Sequence, residues 1–208
     1  MKNFVSKIFD YPFTACKKHK LLVISLIIAT VVMIVIAIVS GIQLNKSMFP
    51  QDFSNISYVK FLKGKGGFVS FMFSTLFSTS IFIVVIWISS VKRYLIPIGL
   101  LFYLYYVYSQ TITIVSVMLD FGFFNTIIVI VYLIIITFIY FFLFILLIAC
   151  TADCAGEMKF FSISFRVIVP ILIMFVVTII FSAIILLSLK NFVIVLVYAW
   201  QNNKFLAL

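Results

Sequence analysis

Acidic side chains are scarce in this chain. Five aspartates and glutamates stand among 208 residues, against fifteen lysines and arginines and a single histidine. Charged residues of both signs make up only 10%, where a soluble domain carries about a quarter. Hydrophobic residues reach 66%. Such a composition excludes an ordinary water-soluble domain, because the apolar excess has to face something other than water. The net charge of +10 does not indicate nucleic acid either, because no basic face with interleaved aromatics lies outside the apolar stretches. Cysteine occurs three times, at Cys16, Cys150 and Cys154, and an odd count argues against a complete disulfide framework.

Charge is missing most completely from five stretches, at about 21–44, 68–91, 94–119, 121–151 and 167–189. None holds an Asp, Glu, Lys, Arg or His at membrane depth. Ion-coupled transporters and proton pumps need such groups there, so their absence speaks against proton-coupled transport. Intramembrane hydrolysis is disfavoured on the same ground, since no His-Glu, Asp-Asp or Ser-His pair is present at depth. The alternation expected of membrane β-strands is absent too. In lipid every backbone polar group needs an internal partner, which leaves helices. Each stretch at about 1.5 Å per residue is long enough to cross the hydrocarbon. The expected fold is therefore an all-α integral membrane protein with about five transmembrane helices in one bundle.

The organisation follows. Residues 1–20 form a basic N-terminus, with Lys2, Lys7, Lys17, Lys18 and Lys20 around Phe4, Ile8 and Phe9, suited to a membrane surface and interrupted by Pro12. Residues 21–190 are the transmembrane domain. Residues 45–67 make the longest polar connection, and a tight turn at Asp120–Gly122 predicts an antiparallel hairpin. Residues 191–208 are a short apolar segment, too short to span, with Tyr198 and Trp200 suited to headgroup depth. With the N-terminus in the cytoplasm, nine basic residues fall inside and six outside. That bias predicts a multi-pass protein of the cell membrane with its N-terminus cytoplasmic and its C-terminus extracytoplasmic. Lys18 and Lys159 are then inside and Lys60 outside.

Several motifs resemble chemistry. Asp120-Phe121-Gly122 spells a kinase metal-binding triplet, but the supporting lysine and catalytic loop are missing. Lys63-Gly64-Lys65-Gly66-Gly67 lacks phosphate-loop spacing. Cys16, His19, Cys150 and Cys154 should all lie near the cytoplasmic face, where three thiols and an imidazole could form a tetrahedral zinc set; edge-of-span residues without metal are the default, so no cofactor is expected. Hydroxyls are the distinctive content of the spans. Ser70, Ser74 and Ser78 recur at steps of four on one face, beside Thr75 and Thr79. Ser109, Thr113 and Ser116 recur similarly beside Gln110. Small hydroxyl residues let helices approach and bond across the gap, either inside the bundle or against another membrane protein. A substrate path lined by Gln110, Tyr103, Tyr105, Tyr106 and Tyr108 is a weaker reading.

The layout resembles the stage II sporulation protein M family: a basic N-terminus, a first span, a longer polar loop and a block of three helices from about Phe68 to Cys150. Ser109 to Ile127 (SQTITIVSVMLDFGFFNTI) is similar to that family's helix–glycine turn–helix. The chain departs from the family in having no proline within Ile128 to Leu133. The resemblance implies a non-enzymatic membrane partner in a Gram-positive cell, working in sporulating members with peptidoglycan-degrading proteins. The function expected is a structural or assembly subunit of a bacterial envelope complex, with the lipid bilayer and other membrane proteins as partners. The alternative is a small permease or accessory subunit of an ABC-type exporter, whose coupling helix would be Ala152–Phe165.

Overall fold

A computed structural model describes residues 11–47, 67–89, 91–121, 123–155, 169 and 171–187. Every regular element among them is helical, and no strand occurs among the described residues. Residues 11–18 form α1, with Pro12 inside it. There follow α2 (Lys20–Ser47), α3 (Phe68–Ser89), a 3-10 turn (Arg93–Leu95), α4 (Ile96–Phe121), α5 (Phe123–Cys154) and α6 (Ile171–Leu187). The chain between 48 and 66, Gly122, residues 156–168 and residues 188–208 lie outside the described residues. With them lie Lys60, Lys159, the first four residues of the Lys-Gly segment, most of the Ala152–Phe165 coupling-helix candidate and the terminal segment holding Tyr198 and Trp200.

Four helices are long and apolar enough to cross a membrane: Lys20–Gln43, Phe68–Ser89, Arg93–Leu119 and Val129–Cys154. The expected count of about five meets a shorter fifth element. α6 has 17 described residues, about 26 Å of helix, less than the roughly 30 Å of a hydrocarbon core.

Cross-helix contacts fix the directions. Thr30 meets Tyr103 and Gly41 meets Val115, so α2 and α4 run parallel. Phe82 packs against Tyr106, and Ser89 against Gly99, so α3 runs opposite to α4. Arg93 reaches Ala155 and Tyr106 packs on Phe144, which makes α4 and α5 the antiparallel hairpin that the Asp120–Gly122 turn predicts. Tyr140 stacks on Phe175 and Tyr132 bonds to Ser182, so α6 runs opposite to α5. The starts of α2 and α4 and the ends of α3 and α5 thus share one end of the bundle.

The helix α5 is central: 72% of its apolar stretch is buried, against 17% for α2. Tyr103, Tyr106, Tyr140, Phe144 and Phe175 fill the middle as fully buried rings. A second cluster of Phe71, Val117, Val129, Leu133, Ala183 and Leu186 closes the opposite end. Two glycines permit close approach. A Cβ on Gly41 would lie 2.9 Å from Val115 Cγ1, and one on Gly99 would collide with Ser89 Oγ. Gly99 therefore sets how closely α4 packs against the end of α3.

Candidate functional site

The end of the bundle where α2 begins carries the polar chemistry. Asp153 sits in the last turn of α5, where a negative charge opposes the partial negative charge of the helix C-terminus. It is nonetheless enclosed, with a side chain only 14% exposed. A lysine compensates the charge, and a histidine ring nitrogen joins it. Lys18 Nζ lies 2.5 Å from Oδ1 and His19 Nε2 lies 3.2 Å from the same oxygen. The Tyr11 hydroxyl donates to Oδ2 at 2.6 Å and lies 3.8 Å from Cys154 Sγ. Beside them Arg93 Nε donates to the Ala155 carbonyl at 3.2 Å, capping the end of α5 with a cation. Burial, with the neighbouring carboxylate second, pushes the Tyr11 phenol above its ordinary range. Burial likewise raises the Cys16 thiol, which stays protonated at neutral pH.

The fold brings the four residues considered for zinc to this same end. Cys16 and Cys154 both neighbour Cys150. His19, however, turns to Asp153. Among the described residues no three His, Cys, Asp or Glu side chains are placed to share a metal ion. Asp153 and Tyr11 are the members that sequence reasoning missed. The one signal that Asp153 offered in the sequence was an acid at the end of an otherwise uncharged helix.

The two hydroxyl stripes part company. Thr113 and Ser116 are buried inside the bundle, with Ser109 and Gln110 half-buried. Their hydroxyls do not bridge helices: Thr113 donates to the Ser109 carbonyl and Ser116 to that of Ile112, within their own helix. Ser70, Ser74 and Ser78 are all exposed. The face α3 turns inward carries Phe71, Thr79, Ile83, Ile86 and Ser89. The outward face adds Phe77, 71% exposed, and Ile81 to the three serines. Of the hydroxyls that do cross between helices, Tyr103 was singled out beforehand, but for a substrate path and not for a helix contact. Thr30 and Tyr103 hydroxyls lie 2.7 Å apart, and Ser182 meets Tyr132 through its carbonyl and Tyr140 through its hydroxyl.

The tyrosine-lined path does not assemble. Tyr103 and Tyr106 are fully buried among aromatic rings, while Tyr105 is exposed and Tyr108 and Gln110 half-buried. Apolar lining dominates a cavity of about 230 Å³ between α2, α4 and α5, bounded by Ile34, Val115, Met118, Thr137, Phe138 and Phe141. No protein-family model, curated protein or solved structure matches this chain.

Proposed function

We propose that this chain is a non-enzymatic structural or assembly subunit of a bacterial envelope complex, and that α3 is the helix against which another membrane protein packs. The outward serine stripe carries the reading. Lipid gives no reason to prefer serine over leucine on an outer face, whereas a close helix–helix contact favours small residues and hydroxyls. The aromatic filling of the bundle centre supports the same choice, since Tyr103, Tyr106, Phe144 and Phe175 occupy the space a path would need. The sporulation-family resemblance supplies one form of the complex, in which the partner acts on peptidoglycan.

In this reading α6 completes a fifth span together with its apolar flanks, and the end bearing Lys17, Lys18, Lys20, Lys92 and Arg93 faces the cytoplasm. The C-terminus then lies outside.

Ser74→Leu tests the docking face, with thermal stability in mild detergent and recovery of co-purifying membrane proteins measured together. Stability is expected to hold, because Ser74 is exposed, while recovery falls. Ile83→Leu on the inward face is the packing control for stability. Full recovery with Ser74→Leu would place the stripe against lipid and remove the reading.

A further inference from the structure

The helix α1 has eight described residues and runs into α2 through His19. Tertiary contacts seat it against the end of α5. Part of its anchorage is apolar: Pro12 and Ala15 are buried and Tyr11 and Cys16 pack against the core, while Phe13, which meets Phe142 with ring centroids 6.4 Å apart, remains 53% exposed. The polar anchorage is concentrated on one carboxylate. Tyr11 and Lys18 are seven positions apart and share a face of α1, and Asp153 takes both, one on each oxygen. His19, at the turn into α2, binds Oδ1 as well. The charged and titratable groups around Asp153 are therefore Tyr11, Lys18 and His19 from the N-terminal side, Cys150 and Cys154 from its own helix, and Cys16 beside Cys150. Arg93 approaches the same helix end through the Ala155 carbonyl.

We infer that Asp153 is a charge latch that seats the N-terminal helix on the bundle, and that removing its charge frees α1 while α2 to α6 stay packed. α1 and α2 meet at His19. The helix ladder continues through it, from His19 N–H to the Ala15 carbonyl and from Val23 N–H to the His19 carbonyl, so a released α1 remains tethered to α2. Apart from Ala15, with Tyr11 and Cys16 packed beside it, the buried members of the aromatic core lie on α2 to α6, as does the second cluster.

Amide hydrogen exchange of the full chain in mild detergent tests this without labels. Residues 11–19 are expected to be protected in the native protein. In Asp153→Asn they should exchange about tenfold faster or more, with residues 96–121 unchanged. Asp153→Glu, which keeps the charge, should restore most of the protection. If Asp153→Asn yields no folded protein, Lys18→Ala combined with His19→Gln removes both partners of Oδ1 and leaves α5 intact, with the same expectation. Unchanged protection of 11–19 in these variants would mean that the membrane surface or apolar contact holds α1, and would overturn the latch. Equal acceleration in 96–121 would overturn it too, by making Asp153 a support of the whole bundle.

Discussion

The hydroxyl oxygens of Thr30 and Tyr103 lie 2.7 Å apart, a buried side-chain hydrogen bond between α2 and α4. Thr30 also meets the Leu26 carbonyl at 2.7 Å, so its hydroxyl is shared between its own helix and its neighbour. Tyr103→Phe should lower stability in detergent by about 0.6–1.7 kcal/mol, the range for interhelical hydrogen bonds in membranes. Thr30→Val should cost at least as much, because it leaves the buried Tyr103 hydroxyl unpaired. The double variant should cost less than the two together. Additive losses in thermal melts would show that the pair is not coupled.

Gly99 and Gly67 form a matched test of close packing. A Cβ on Gly99 would strike Ser89 Oγ and approach the Ile86 backbone, while one on Gly67 meets nothing within 4 Å. Gly99→Ala should therefore destabilise by about 1–3 kcal/mol, the usual cost of overpacking, and Gly67→Ala should be close to neutral. Ser89→Ala removes the nearest obstacle and should recover part of the loss in the double variant. A Gly99→Ala protein as stable as the parent would mean that α4 can shift away from α3 at little cost.

Orientation is open to a labelling experiment on intact cells. In a background with Cys16, Cys150 and Cys154 replaced by serine, Gly67→Cys should react with a membrane-impermeant maleimide and Lys92→Cys should not. The two positions lie at opposite ends of α3 and both are exposed. Labelling of residue 92 alone would reverse the proposed topology and place the Asp153 end outside.

The Cys16 thiol gives a pH signature. Burial raises its pKa, so the thiolate that reacts with maleimide is rarer than for a free thiol near pH 8. Alkylation should be slower than for an exposed cysteine and should keep accelerating above the ordinary thiol range of about 8.5. The folded state holds this proton more tightly than the unfolded chain. Its contribution to stability is thus complete below the unfolded pKa and lost as pH rises through the folded one. Cys16→Ser should flatten the decline of thermal stability on the alkaline side. An unaltered slope would assign that decline to other groups.

Much of this architecture was legible in the residues. Stretches without charge required membrane-spanning helices, Lys92 and Arg93 marked the break between α3 and α4, and Asp120–Gly122 announced the hairpin of α4 and α5. The four residues considered for zinc lie at the same end of the bundle as Asp153, but nothing in their spacing pointed to that carboxylate. Hydropathy had no means of joining Asp153 to Lys18 across 135 positions, because each is an ordinary charge at the edge of an apolar stretch.

Composition and the spacing of charge thus determined that the chain lives in lipid, that it is helical, and roughly where its helices turn. Which side of each helix faces its neighbours was decided by the packing alone. In water an amphipathic stripe marks the buried face, but in lipid both faces are apolar and that signal vanishes. Ser70, Ser74 and Ser78 could face inward or outward at equal transfer cost. The tertiary structure turned them out because Phe71, Ile83 and Ile86, on the other face, fill the space against the neighbouring helices. The same packing set Tyr103 opposite Thr30 and brought α1 against the end of α5, where Tyr11, Lys18 and His19 contact Asp153.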